Sequence, residues 1–188
     1  MAENKIVFVT GNLNKLKEVK MLLQGIKYEI ANEPLDLIEV QDSELELIAK
    51  AKVAQAIKEL GPGTRVFVED TALSFNAMNG LPGAYVKWFV QKMGLEKMVQ
   101  LLNAFEDKTG TAVTTIAYSD IQGQIHVFQG CTDGTIVAKR GPETFGWDCI
   151  FEPFNTGKTY AEMTKTEKNI ISHRGKAFAK FKEFLATN

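Results

Sequence analysis

Two carboxylates, Glu69 and Asp70, follow directly on the apolar run Val66-Phe67-Val68. β-Branched and aromatic residues in a short run read as a buried strand, so both acids stand at a strand end. Neighbouring side chains on a strand point to opposite faces, and these two cannot meet one partner without a bend. A carboxylate so placed suits a metal ion or an oriented water; the plainer reading is a solvated strand end. Three other stretches supply parts that this one lacks. Ile6-Val7-Phe8-Val9-Thr10 leads through Gly11-Asn12 into helical spacing from Lys15 to Leu23. The amides of Gly11, Asn12 and Leu13, with the Lys15 cation, suit an anion at a helix start. Phe145-Gly146-Trp147-Asp148 joins two exposed-looking aromatics to a carboxylate in a glycine loop. Near the end, Lys168, Ser172 and Arg174 lie off the apolar face set by Ala177, Phe178, Phe181 and Leu185, available to a ligand.

The elements that must position these groups alternate in type. Ile6–Thr10 reads as a strand buried on both faces, Tyr28–Ile30 as a second, and Leu35–Val40 as a third carrying Glu39 near its end. Asp42 and Ser43 can cap a helix that runs through Ala49 to Leu60, with Glu46 at capping-box spacing from Ser43 and a stop at Gly61-Pro62-Gly63. After the Val66–Thr71 strand, Leu73–Phe75 continues extended, and 79–83 is a turn cluster. Helices are expected from Val86 and over Leu95–Phe105. An antiparallel group of three strands is expected at Ala112–Tyr118, Ile125–Phe128 and Thr132–Ala138. One final helix, capped by Thr164 or Thr166, carries Lys168 through Leu185. His126, between Ile125 and Val127, reads as a rim residue.

The chain of 188 residues, 45% hydrophobic and 24% charged, is long enough for one large domain and its core. A net charge of -1 gives no nucleic-acid or membrane footprint. Charge is uneven: residues 158–188 hold 7 of the 22 Lys and Arg but 3 of the 23 Asp and Glu. That cationic segment suits a polyanionic small ligand as well as a solvated helix face. Cys131 and Cys149 have no zinc-like spacing, the start is no signal peptide, and no stretch is apolar enough to span a bilayer. A soluble protein of a reducing, cytoplasmic compartment is expected. The glycine turn matches neither a P-loop nor a dinucleotide fingerprint.

Six stretches in order carry a resemblance: Val9-Thr10-Gly11-Asn12-x-x-Lys15, Val68-Glu69-Asp70-Thr71, Gly80-Leu81-Pro82-Gly83, Tyr85-Val86-Lys87-Trp88, Phe145-Gly146-Trp147-Asp148 and Lys168-Asn169-x-x-Ser172-His173-Arg174. The chain resembles the inosine triphosphate pyrophosphatase, or Ham1-like, family of house-cleaning nucleotidases from about Lys5 to Leu185. The resemblance implies an α/β fold with a long twisted mixed β-sheet and flanking helices. It implies one domain, residues 1–188, of two lobes around a central substrate cleft. It implies hydrolysis of ITP, dITP and XTP to the monophosphate and pyrophosphate with magnesium, or manganese in its place, by a homodimer. Metal binding falls to Glu39 and Asp70, with Asp42 a rival for Glu39. Triphosphate contacts fall to Thr10, Gly11, Asn12, Lys15, Lys50, Lys87 and Lys168, with Lys52 a rival for Lys50. Base recognition falls to Phe145, Trp147, Asp148, His173 and Arg174, and Gly146 and Ser172 are further substrate-binding positions.

The residues support that chemistry on their own terms. Magnesium takes oxygen ligands, usually one or two carboxylates beside phosphates and waters. Lysines together with the metal would neutralise a triphosphate, and Asp70 or Glu69 would orient the attacking water or take its proton. Two other functions remain open. A non-catalytic purine-nucleotide sensor would need the lysines and aromatics without the carboxylates. A Maf-like pyrophosphatase would prefer another base.

Overall fold

Strand β1, Lys5–Val9, is the apolar run that opens the chain, and it pairs in parallel with β2, Glu29–Glu33, and β3, Val66–Phe75. The computed structural model describes residues 4–188. The remaining strands are β4, Pro82–Gly83; β5, Thr109–Ser119; β6, Ile125–Ile136; and β7, Phe151–Pro153. They form a mixed sheet of order β2-β1-β3-β5-β6-β7, with β4 antiparallel on β3. The helices are α1, Leu13–Leu22; α2, Leu45–Leu60; α3, Val86–Trp88; α4, Leu95–Leu101; α5, Lys165–Ile171; and α6, His173–Thr187. The fold is mixed α/β, as expected.

The chain divides into two compact units. The first contains residues up to Asp70, Thr114–Gly130 and Lys176–Asn188. Strand alternation organises it. Ile6, Phe8 and Phe67 face one way, against Val19 of α1, Leu23 at its C-cap, and Phe178, Phe181 and Leu185 of α6. Phe8 and Phe67 stack at 4.5 Å on that side, an arrangement worth about 0.5–1.5 kcal/mol beyond its buried area. Val7, Val9, Val66 and Val68 face the other way, against Ala49, Val53 and Ala56 of α2.

The second unit, Thr71–Val113 and Cys131–Gly175, has its own core. Leu73, Phe75, Met98, Leu102, Trp147, Phe151 and Tyr160 belong to it. Trp147 is therefore buried, contrary to the exposed reading of its loop. Phe151, Tyr160 and His173 leave its ring little open face.

Four other expectations change. Leu35–Val40 is not a strand; at its middle the Gln55 side chain accepts from Ile38 N at 2.9 Å and donates to Ile38 O at 3.1 Å. The capping box at Ser43 does not form. Helix α2 starts at Leu45 with Glu44 as its N-cap, and the Asp42 side chain accepts from Glu44 N. The strands expected at Ile125–Phe128 and Thr132–Ala138 are the single strand β6.

The final helix is two. Helix α5 begins on a reciprocal Thr164–Glu167 capping box and ends at Ser172, whose backbone is extended. The Ser172 hydroxyl accepts from Gly175 N at 3.0 Å and so caps α6. Gly175 makes this junction possible, because a Cβ there would lie 1.8 Å from Asn169 O.

Candidate active site

The first unit holds a cluster of charges built by β3 and its two flanking helices. Glu69 shares the face of Phe67, toward α1, and Asp70 shares the face of Val68, toward α2. Each meets a lysine from the helix on its own side. Lys15 Nζ lies 3.2 Å from Glu69 Oε2 and also donates to Glu69 O at 3.4 Å. Lys52 Nζ lies 2.6 Å from Asp70 Oδ1 and 3.6 Å from Glu39 Oε2. One ammonium thus bridges two carboxylates contributed by different segments. Burial pulls the Lys52 pKa down, but Asp70, with Glu39 and Glu69 beyond it, outweighs this and holds it above its usual range.

The two acids differ in environment. The Glu69 side chain is wholly buried, whereas Asp70 is a quarter exposed. Asp70 Oδ2 is shielded from solvent and has no hydrogen-bond partner among the described residues. A buried carboxylate oxygen without a donor is costly unless something else completes it. With Glu39, it offers the oxygen chemistry that magnesium prefers, and a cation already stands between the two acids. Among the described residues no group of three or more metal-ligating side chains forms.

The turn before α1 is partly spent on itself. Asn12 N donates to Thr10 Oγ1, and Asn12 Oδ1 accepts from Asn14 N and Lys15 N. The amides of Gly11 and Leu13 remain the exposed part of the anion site expected there. Lys50 is half-exposed and pairs with Glu46 at 3.6 Å, away from the Asp70 cluster.

The second unit holds every residue expected at the base. Lys168 is buried, with Nζ 2.6 Å from Asp148 Oδ2 and 4.3 Å from the centre of the Phe145 ring. The Arg174 guanidinium lies 5.2 Å from the same ring and donates to Thr71 Oγ1 at 3.1 Å. Half-buried Phe145 therefore lies near two cations at cation–π distance. His173 stacks on Trp147 at 5.3 Å and contacts Tyr160 OH through Nδ1 at 3.3 Å. Burial pushes the Tyr160 phenol well above its ordinary value. Lys168, expected among the phosphate lysines, is held in this aromatic and acidic set. Lys87 lies elsewhere on the unit, exposed on α3 beside Trp88.

The Ham1 family matches residues 6–184. This chain belongs to the Ham1 family. Its similarity to Ham1 relatives runs nearly end to end. A Candida glabrata protein named inosine triphosphate pyrophosphatase is 59% identical, covering 98% of this chain and 99% of its own length. The Saccharomyces cerevisiae protein of the same name is 58% identical, covering 100% and 99%. Among solved structures, the Staphylococcus aureus Ham1 protein matches with a TM-score of 0.84 at 28% identity, over 98% of this chain and 99% of that one. The Coxiella burnetii HAM1 protein matches with a TM-score of 0.85 at 25% identity, over 98% and 100%.

The helix period separates Lys52 from its rival Lys50 in this Ham1 chain. At about 100° per residue, Ile48, Ala49, Val53 and Ala56 mark the buried stripe of α2; Lys52 falls inside it and Lys50 outside. Thr71 and Tyr160 were missed as partners of Arg174 and His173. Nothing in their local sequence marks them, since their contacts join distant parts of the chain.

Proposed function

We propose that this chain hydrolyses non-canonical purine nucleoside triphosphates, ITP, dITP and XTP, to the monophosphate and pyrophosphate. The observation that carries this reading is the Asp70–Lys52–Glu39 bridge, with the unpartnered Asp70 Oδ2 beside it. A nucleotide sensor has no use for a second carboxylate at that point. The full-length relatives named inosine triphosphate pyrophosphatase support the same substrate.

In the reaction, a water oxygen bonds to the α-phosphorus, the bond from that phosphorus to the bridging oxygen breaks, and pyrophosphate leaves. Asp70 takes the water proton or holds the water in line. Glu69 is poorly suited to that task, because its buried carboxylate is tied to Lys15; its role is to fix the Lys15 cation beside the turn that receives phosphate. Glu39 and Asp70 would hold magnesium, which when bound would offset charge on the triphosphate and the departing pyrophosphate. Lys52 neutralises the two acids in the free protein and serves phosphate oxygens once they are otherwise occupied. Thr10, Gly11, Asn12 and Lys15 receive the phosphates at the start of α1, and Lys87 adds a cation. Lys50, paired with Glu46, is the less suited of the two α2 lysines.

The base falls to the second unit. A 6-oxo purine offers an acceptor at C6 and a donor at N1, the reverse of adenine. Arg174 or His173 donates to the C6 oxygen, and Asp148 accepts from N1–H directly or by ordering loop amides around Gly146. Phe145 supplies the stacking face, worth about 1–3 kcal/mol without selecting among bases. Ser172 shapes the junction that presents His173 and Arg174. The working form is a homodimer in the cytoplasm, a reading supported by the family resemblance; no helix among the described residues is long and apolar enough to cross a membrane.

The test is a panel of ITP, dITP, XTP, ATP and pyrimidine triphosphates, with magnesium, manganese or chelator, scored for pyrophosphate and orthophosphate. Metal-dependent pyrophosphate release from the 6-oxo purines is expected. Binding without turnover would favour a sensor, and a pyrimidine preference would favour a Maf-like activity.

A further inference from the structure

Of the two acids proposed for magnesium, Asp70 stands on β3, but Glu39 lies between β2 and α2, where the chain has no regular structure. Leu35 and Leu37 pack against the core on the α2 side. Ile38, next to Glu39, is 75% exposed, so packing does not fix the chain at that point. The Gln55 side chain does. Its Oε1 accepts from Ile38 N at 2.9 Å, and its Nε2 donates to Ile38 O at 3.1 Å. One side chain thus makes both bonds that a paired strand residue would make. A backbone N–H only donates and a carbonyl only accepts, so a single orientation of the amide serves both. The Ile38 carbonyl belongs to the planar peptide unit that ends at Glu39 Cα, and anchoring it sets where the Glu39 side chain starts.

The same helix holds the end of that side chain. Lys52 precedes Gln55 by three residues on α2, a neighbouring position on the helix surface. Its Nζ reaches Glu39 Oε2 at 3.6 Å and Asp70 Oδ1 at 2.6 Å. In the proposed reaction Lys52 turns to phosphate oxygens, and the hold on the Ile38 backbone is then the one that involves no charge. Without it, Glu39 would sample many positions, and ordering it would weaken cation binding.

We propose that Gln55 is a positioning residue that, through the Ile38 backbone, keeps the Glu39 carboxylate at the Lys52–Asp70 pair for a divalent cation. This rests on the reading of Glu39 as a metal ligand.

The test is Mn2+ binding to the nucleotide-free protein, followed by electron paramagnetic resonance, in the parent, Gln55→Met, Glu39→Gln and the double variant. Methionine matches glutamine in length and helix propensity but makes neither bond. Gln55→Met and Glu39→Gln should each weaken Mn2+ binding about tenfold, and the double variant should bind no more weakly than Glu39→Gln alone. Amide exchange at Ile38 should quicken about tenfold in Gln55→Met, the scale of one lost hydrogen bond. In ITP cleavage, Gln55→Met should raise the magnesium needed for half-maximal rate and leave kcat near that of the parent. Parental Mn2+ affinity in Gln55→Met, or an equal further loss when it is added to Glu39→Gln, would overturn the proposal and leave Glu39 a ligand. Parental affinity in Glu39→Gln would overturn the metal reading of Glu39 and the proposal with it.

Discussion

Lys52 Nζ lies 2.6 Å from Asp70 Oδ1, and the same ammonium reaches Glu39 Oε2 at 3.6 Å. A cation thus already occupies the space between the two acids proposed for magnesium. This arrangement follows from strand parity. Glu69 continues the face of Phe67 and meets α1, while Asp70 continues the face of Val68 and meets α2. Adjacent acids are in this way given separate lysines and separate duties.

Lys15 secures a wholly buried carboxylate, so its loss should be felt in stability as well as in phosphate binding. Lys15→Ala should destabilise the fold by about 3 kcal/mol, the low end for removing one partner of a buried pair. Lys15→Ala with Glu69→Gln should recover most of that loss, because no buried charge is left over. Chemical denaturation of both variants checks this. A Lys15→Ala protein as stable as the parent would mean that Glu69 finds another cation.

The start of α5 carries a pH signature. Glu167 accepts from Thr164 N at 2.7 Å, and this bond, with the Thr164 hydroxyl and Lys158, holds its carboxyl down at about 2 against an ordinary 4.5. A depressed acid contributes stability above its unfolded value, and the contribution fades as pH falls toward the folded one. Glu167→Gln should therefore be less stable than the parent above pH 4.5, with the gap closing as pH is lowered toward 2. Thermal unfolding across that range measures it. A gap that stays constant with pH would assign the loss to packing rather than charge.

Arg174 and Phe145 should separate selectivity from affinity. Arg174→Ala should narrow the preference for ITP over ATP by about tenfold or more, as expected when a donor to the C6 oxygen is lost. Phe145→Ala should weaken both substrates alike, since stacking does not read the base. The ratio of kcat/KM values for the two substrates distinguishes them. An unchanged ratio in Arg174→Ala would move Arg174 to a structural role on Thr71.

Much of this was legible in order along the chain. The six motifs place the carboxylates, the glycine turn and the aromatic loop, and periodicity finds β1, α1, α2 and β3. The misreadings share a cause. Leu35–Val40 has strand-like composition, but the Gln55 amide, not a neighbouring strand, bonds the backbone of Ile38. Ser172 breaks the last helix because its hydroxyl caps α6 while Gly175 passes close to Asn169, contacts that no local pattern announces. Trp147 looked exposed because a glycine loop says nothing of what packs over it. Lys50 and Lys52 are told apart in position once the buried stripe of α2 is drawn.

The central claim is that Asp70 is the carboxylate on which turnover depends. The most direct test is pyrophosphate release from ITP at saturating magnesium by the parent and by Asp70→Asn, with folding checked by circular dichroism. The amide keeps the shape but cannot act as an anionic ligand or base. The account predicts ITP cleavage to IMP and pyrophosphate by the parent, and a loss of at least about a hundredfold in the folded variant, a cost of about 2.7 kcal/mol in the barrier. Near-parental turnover by Asp70→Asn would contradict it.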